Sequence, residues 1–423
     1  MHPALASQPF IWAGGIENTF IPQGRPGMRP LEEYELTQHY QQWRDDLRRA
    51  AGLGISMLRW GVPWYRVEPR PGVFDWSWTD EVLDFMVRDL RITPIVDLMH
   101  YGTPLWLEDS FADPAYSGLV AAYERAFAER YRGLVRFYTP LNEPSVNAMM
   151  CGRLGVWPPY MRGEAGYVRV LLQIVRGIQN CAREIRAADP DAVLVAVEAL
   201  GWCRPASPAA RAAAERRNQG ELLPWDLTCG AVDAGHPLYG YLLENGATEE
   251  ELEILRERGV RQDALGVNFY PWSACELDVG PDGQVQARIV PSDGRLLADV
   301  LRRVYAHADV PLIVTETSAN EPADGRARWM DETLEAVREV RAEGVPVIGY
   351  TWFPLFSMIE WDYRTSTRPV EEHLIHLGLW DARFDASGTL VRHETPLVAK
   401  YAGYVRSGAL VAGELASPTR AAA

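Results

Sequence analysis

The chain has 423 residues, 47% of them apolar and 23% charged. That is enough apolar chain to bury a large core, and no Gly/Ser-rich linker, charge block or fixed-period repeat divides it, so one α/β unit spanning residues 1–423 is expected. The formal charge of -15 excludes the basic face that nucleic acid or an anionic membrane surface would demand, and leaves a neutral small molecule as the fitting partner.

Short β-branched or apolar runs alternate with longer stretches of helical period, the pattern of βα units around a parallel sheet. Eight such runs follow in chain order: Phe10–Gly15, Ile55–Trp60, Pro94–His100, Arg136–Asn142, Val193–Leu200, Leu265–Tyr270, Pro311–Thr317 and Pro346–Phe353. Helices are expected between them over Thr37–Ala51, Trp78–Leu90, Ala121–Tyr131, Tyr167–Ala187, Leu296–Ala306 and Arg326–Glu343. Gly52, Asp189-Pro190 and Gly344 supply stop signals where a backbone leaves the helix. From Trp202 to Asp263 only helical pieces such as Glu249–Gly259 emerge, with no clean single crossover. Eight strands over this length point to a single (β/α)8 TIM barrel with elaborated βα loops rather than a doubly wound sheet. Residues 407–423 read as a loose Ala-rich tail.

Cys151, Cys181, Cys203, Cys229 and Cys275 are odd in number, widely spaced and lack a CxxC pair. This argues against a disulfide framework or a zinc site, and makes a reducing cytoplasm the expected setting. The start, Met1–Phe10, has no basic segment followed by an apolar one, and no apolar run of about eighteen residues occurs, so neither secretion nor membrane insertion is expected.

In a barrel of this kind the chemistry sits where strands end, so polar residues closing an apolar run carry the functional expectation. They are Glu17 or Asn18, Arg59, His100, Asn142 with Glu143, Glu198, Asn268 with Tyr270, Glu316 and Trp352. Two strand-end glutamates on different staves suit glycosidic cleavage, which needs one carboxylic acid to protonate the leaving oxygen and one carboxylate, about 5 to 5.5 Å away for retention, to attack the anomeric carbon.

Thr139-Pro140-Leu141-Asn142-Glu143-Pro144 and Ile313-Val314-Thr315-Glu316-Thr317 resemble the acid/base and nucleophile motifs of family 1 glycoside hydrolases. The segments Arg59–Pro69, Leu98–Leu107 and Gly266–Tyr270 are similar to that family's second, third and sixth strand segments, and the likeness runs from Phe10 to Tyr401. The resemblance implies a retaining β-glycosidase, β-glucosidase-like, that acts through a covalent glycosyl-enzyme. Glu143 would be its acid/base and Glu316 its nucleophile, with no metal and no organic cofactor. It further implies that Arg59, Tyr270 and Asn268 support the nucleophile. Asn142 would hold the 2-hydroxyl, His100 the 3-hydroxyl region, Trp352 the sugar's apolar face, and the Glu360-Trp361 pair the far hydroxyls.

The pattern also departs from the family. Gly14-Gly15-Ile16-Glu17-Asn18-Thr19 stands where a strand-one Gln is usual, so Glu17 or Asn18 would take its place. Tyr101 replaces a Trp, Thr317-Ser318 replaces Asn-Gly, Phe353 follows Trp352 where Ser is usual, and Glu360 arrives one residue late relative to Trp352. Two other readings stay open: a catalytically silent sugar-binding barrel, and a β-glycosidase for an acidic or phosphorylated sugar held by Arg364 or Arg368. A metal-dependent hydrolase using Asp97, His100 and Glu143 is disfavoured by the lack of a compact His/Asp cluster. Trp106, Trp157, Trp202, Trp272 and Trp361 are the aromatics expected near an aglycone cleft.

Overall fold

The computed structural model describes residues 2–6, 9–280, 283–408 and 410. Eight strands close into a parallel barrel: β1 (Ile11–Gly15), β2 (Met57–Gly61), β3 (Thr93–Asp97), β4 (Phe137–Thr139), β5 (Val193–Ala199), β6 (Ala264–Asn268), β7 (Leu312–Thr317) and β8 (Val347–Trp352). Sequential strands are neighbours throughout, and β8 closes on β1 with Trp12 opposite Tyr350 and Gly14 opposite Trp352. Nearly every strand residue is buried. This is why the strands read as continuous apolar runs: the sheet is covered on both faces.

Ile11, Ala13, Met57, Ile95, Phe137 and Val195 belong to one compact cluster, separate from the large core that the helices build around the barrel. The principal helices are α1 (His39–Gly52), α2 (Ser77–Asp84), α3 (Tyr116–Tyr131), α4 (Gly163–Ala188), α5 (Leu296–Ala308), α6 (Ala323–Ala342) and α7 (Pro396–Ser407). The last is fastened to the barrel by the Tyr401 hydroxyl, which donates to the Ala13 carbonyl at 2.6 Å.

Some boundaries differ from the sequence expectation for local reasons. After Asp84 the helix relaxes into a π-turn over Phe85–Asp89, and α3 and α4 begin about a turn earlier than their apolar period announces. Strand β4 stops at Thr139 because Pro140 has no amide to offer the ladder; Asn142 meets β5 again only through a bridge to Val197. Of the tail expected over 407–423, Ser407 closes α7 and Leu410 is buried, with its carbonyl accepting from Arg341 at 3.0 Å; 409 and 411–423 lie outside the described residues.

The irregular fifth unit is an excursion of short helices after β5, ending with Glu249–Glu257. Its first segment, Trp202–Pro205, joins Ala274–Val279 and Val285–Ile289 in a small three-stranded sheet above the barrel. There the expectation of unpaired cysteines fails. Cys203 lies directly opposite Cys275 on adjacent parallel strands, with Cα atoms 4.6 Å apart, and the two form a disulfide. Seventy-two residues separate them in the chain, so no spacing rule could pair them. Cys151, Cys181 and Cys229 are free. No helix among the described residues is long and apolar enough to cross a membrane.

The mouth of the barrel is closed in by loops that pack backbone on backbone. Phe20 donates its amide to the carbonyl of His100 at 3.1 Å, and a Cβ on Gly102 would stand 1.4 Å from the Phe20 carbonyl oxygen. Gly102→Ala must therefore push two loops apart. It is expected to cost about 1 to 3 kcal/mol of stability, read as a lower urea midpoint; an unchanged midpoint would show that the contact yields without cost.

Candidate active site

Arg59, in the middle of β2, is fully buried at the C-terminal end of the barrel. Its guanidinium meets Glu316 of β7 on one side and Asp97 at the end of β3 on the other, the latter at 2.6 Å, and donates to Asn142 Oδ1 at 2.6 Å. Burial works against its charge, but Asp97 and Glu316 outweigh that and raise its pKa. For Asp97, burial alone would push the carboxyl up; Arg59 and then His100 bring it below the usual carboxylate range. Tyr270 donates to the second oxygen of Glu316 at 2.6 Å. Both oxygens of Glu316 are thereby held by donors.

Glu143 follows β4 in a left-handed backbone conformation, φ 46°, uncommon for a residue with a side chain. The following Pro144 starts the short helix Pro144–Ala148 with a φ already suited to it. Asn268 donates to Glu143 Oε1 at 2.7 Å, and the Tyr101 hydroxyl donates to Oε2. Despite these donors, burial first and the charge of Glu316 second raise the Glu143 carboxyl to about 7. Asn142 ties the two halves together: its Nδ2 donates to the Tyr101 oxygen at 2.9 Å and meets His100 Nε2 at 3.1 Å. His100 Nδ1 lies 3.2 Å from Asp97; burial lowers the imidazole pKa, and Asp97 outweighs it and raises it.

Glu198 of β5 accepts from the Ser145 amide at 3.1 Å and its hydroxyl at 2.6 Å, so it steadies the turn that presents Glu143. Burial raises its carboxyl to about 8, opposed by Ser145 and assisted by the charge of Glu143. Glu17, just past β1, is 7% exposed; its Oε1 accepts from the Thr19 amide at 3.0 Å and hydroxyl at 2.6 Å. Burial raises its pKa, the charge of His100 opposes, and Glu316 adds to the rise, so Glu17 shares the electrostatics of the same site.

Residues 33–232 of this chain match the family described as Glycosyl hydrolase family 1. Over that segment the chain is similar to glycosyl hydrolase family 1. Among curated relatives, beta-glucosidase A of Thermotoga maritima is 23% identical over 79% of this chain and 84% of its own length. A phospho-cellobiase of Klebsiella oxytoca is 22% identical over 82% of this chain and 88% of its own. Among solved structures, the Thermotoga maritima beta-glucosidase in complex with glucoimidazole superposes with a TM-score of 0.81 at 21% identity, covering 95% of this chain and 98% of that one. The (β/α)8 barrel is thus shared while about four residues in five differ.

The structure brings Arg59, His100, Asn142, Glu143, Asn268, Tyr270 and Glu316 together in one hydrogen-bonded network, as the family resemblance anticipates. Three expectations need correction. Asn268 supports Glu143, not Glu316, because its amide lies against the strand-four side of the network and its Oδ1 is held by Thr315 at 2.7 Å. Asn18 spends its amide on Asp97 at 3.4 Å and packs over Gly61, where a Cβ would clash with it. Trp352 is fully buried and donates to the Leu377 carbonyl at 3.1 Å. Two residues earlier and on the same strand face, Tyr350 packs on Trp12 and Tyr401 of the outer layer.

The next side chain, Phe353, faces the network instead: its ring is parallel to that of His100 at 6.5 Å and lies 5.2 Å from the Arg59 guanidinium. Measured from Phe353, the one-residue offset of Glu360 disappears, which is the sequence signal that would have found it. Trp361 is half-buried against Tyr101 at 5.7 Å and Trp157 at 5.1 Å. Glu360 is exposed and gathers with Asp362 and His373, whose potential ligand atoms lie within 4.8 Å of one another. Among the aromatics expected at a cleft, Trp272 is 46% exposed and stacked on Tyr270 at 4.7 Å, whereas Trp202 lines a separate side cleft with Arg303 and His307.

Carbon-13 NMR titration of the Glu143 carboxyl should give a midpoint near 7. Glu316→Gln should lower that midpoint, because a like charge is removed, without restoring the ordinary value, because burial remains. A wild-type midpoint in the usual carboxylate range would contradict this account.

Proposed function

We propose that this protein is a retaining β-glycosidase, β-glucosidase-like, with Glu316 as nucleophile and Glu143 as acid/base. The observation that carries the reading is the opposed treatment of the two carboxyls. Glu316 is clamped by Arg59 and Tyr270, while Glu143 is pushed to about 7 and so holds a proton near neutrality.

In the first step Glu316 attacks the anomeric carbon as Glu143 gives its proton to the departing oxygen, leaving a glycosyl ester on Glu316. In the second, Glu143 takes a proton from water, which attacks the same carbon and frees Glu316; two inversions give net retention. Asn142 is positioned by Arg59 to meet the 2-hydroxyl, and Phe353, rather than Trp352, offers a face to the apolar side of the sugar. Tyr101 is a positioning residue: its hydroxyl accepts from Asn142 and donates to Glu143.

The structural neighbour's complex with glucoimidazole supports a small glycoside as the partner. The name of the phospho-cellobiase relative raises a phosphorylated glycone, but the cations expected to hold one are occupied. Arg364 is consumed by the carbonyls of Gln23, Arg29 and Val156 and the Tyr160 hydroxyl, and Arg368 pairs with Asp362 and Glu372. The three free thiols support the cytoplasm as the proposed compartment, and the Cys203–Cys275 disulfide stands against it.

With an aryl β-glucoside, Glu316→Gln should reduce turnover by roughly four orders of magnitude or more. The first sugar released by wild type, followed by proton NMR, should be the β-anomer; the α-anomer appearing first would sink the retaining mechanism. Tyr101→Phe removes a donor that favours ionised Glu143, so the alkaline limb of kcat/KM should move to higher pH. A limb that stays in place would deny Tyr101 its positioning part.

A further inference from the structure

Glu143 heads the helix Pro144–Ala148, yet its side chain does nothing for that helix. Pro144 has no amide to satisfy, so the first donor left open by the helix geometry is the amide of Ser145. The side chain at the head of a helix ordinarily accepts from that amide or the next. The chain does so elsewhere with the same residue type: Glu32 heads Glu33–Leu36, and its carboxyl accepts from the Glu35 amide. Glu143 is not free to do the same, because its two oxygens are taken up in the site by Asn268 and Tyr101.

The missing acceptor comes from the neighbouring strand. Glu198, 4% exposed near the end of β5, takes the Ser145 amide on Oε2 at 3.1 Å and the Ser145 hydroxyl on Oε1 at 2.6 Å, and its Oε1 is fixed by the Ala199 amide at 2.9 Å. One residue earlier on the same strand, the Val197 carbonyl accepts from the Glu143 amide at 3.0 Å. Strand β5 thus grips the chain on both sides of Glu143, whose left-handed backbone persists only if its surroundings hold it. The grip survives protonation of Glu198, which burial favours. Oε2 still accepts from the Ser145 amide, and an O–H on Oε1 donates to the Ser145 hydroxyl, which turns to accept. A side-chain amide at this place would lose the grip, since its NH2 must face the N–H of either Ala199 or Ser145.

We propose that Glu198 is a positioning residue for the acid/base: it caps the helix in place of Glu143, and so keeps the Glu143 carboxyl turned into the site instead of back onto the Ser145 amide. The inference rests on the hydrolase reading above and gives a third carboxyl its part in the same reaction. The effect falls on delivery of the proton. Attack by Glu316 is spared, because Arg59 and Tyr270 hold that carboxyl from other staves of the barrel.

The test compares phenyl β-D-glucopyranoside, whose leaving oxygen needs a proton, with 2,4-dinitrophenyl β-D-glucopyranoside, whose leaving group departs without one. In kcat/KM, which reads the first chemical step, Glu198→Gln should cost the phenyl glycoside about a hundredfold, and about tenfold or more beyond what it costs the dinitrophenyl glycoside. Ser145→Ala, which removes the hydroxyl and keeps the backbone amide, should show the same bias in smaller measure, and carries the test if Glu198→Gln does not fold. Equal losses on the two substrates mark a merely structural residue, and no loss on either marks a dispensable one; each result overturns the proposal. Failure of the wild type on both glycosides, or turnover that Glu316→Gln leaves intact, is a different pattern: it removes the hydrolase reading and takes this inference with it.

Discussion

A guanidinium buried within a barrel strand is an expensive object, and the site is organised around meeting its requirements. Arg59 has no exposure to water and is surrounded by Asp97, Glu316, Asn142 and the face of Phe353. Removing one member of such a buried set leaves the others uncompensated, typically at a cost of about 3 to 5 kcal/mol. The geometry of strands β2, β3 and β7 is thus fixed by charge as well as by packing. The same cation sets up the asymmetry of the two glutamates: it is bonded to Glu316, while burial and the charge of Glu316 keep the proton on Glu143.

Tyr101 extends this logic to the far side. The resemblance leads one to expect an indole there, which could only donate. A phenol both accepts from Asn142 and donates to Glu143, closing a path of hydrogen bonds from Arg59 through Asn142 to the second carboxyl. The four groups are therefore coupled, and a change at one will be felt by all; additivity should not be expected among their substitutions.

The barrel was legible because its strands are buried on both faces and so stand out as apolar runs, and Glu143 and Glu316 because each closes such a run inside a longer motif. What escaped the sequence were directions and long-range neighbours. Trp352 and Phe353 are adjacent in the chain but point to opposite layers, and the larger aromatic drew the assignment although the smaller one faces Arg59. Asn268 stands between Glu143 and Glu316, and only the hydrogen bond decides which it serves. Cys203 and Cys275 meet because an irregular excursion lays one strand beside another, a contact that no spacing announces.

The carboxyls with raised pKa values carry a consequence for the whole fold. Glu143 at about 7 and Glu198 at about 8 hold their protons more tightly in the folded chain than in the unfolded one. Their contribution to stability is therefore fully present below the ordinary carboxylate pKa and is lost as pH rises through those values, by an amount of order a few kcal/mol for each. Asp97 acts in the opposite sense: Arg59 depresses its pKa, so its contribution is lost as pH falls. Acid weakens the ion pair that aligns the strands, and alkali forces charge onto the carboxyls that burial keeps neutral. The site thus holds this arrangement in the interval between these two losses, and the neutral range in which Glu143 titrates falls inside it.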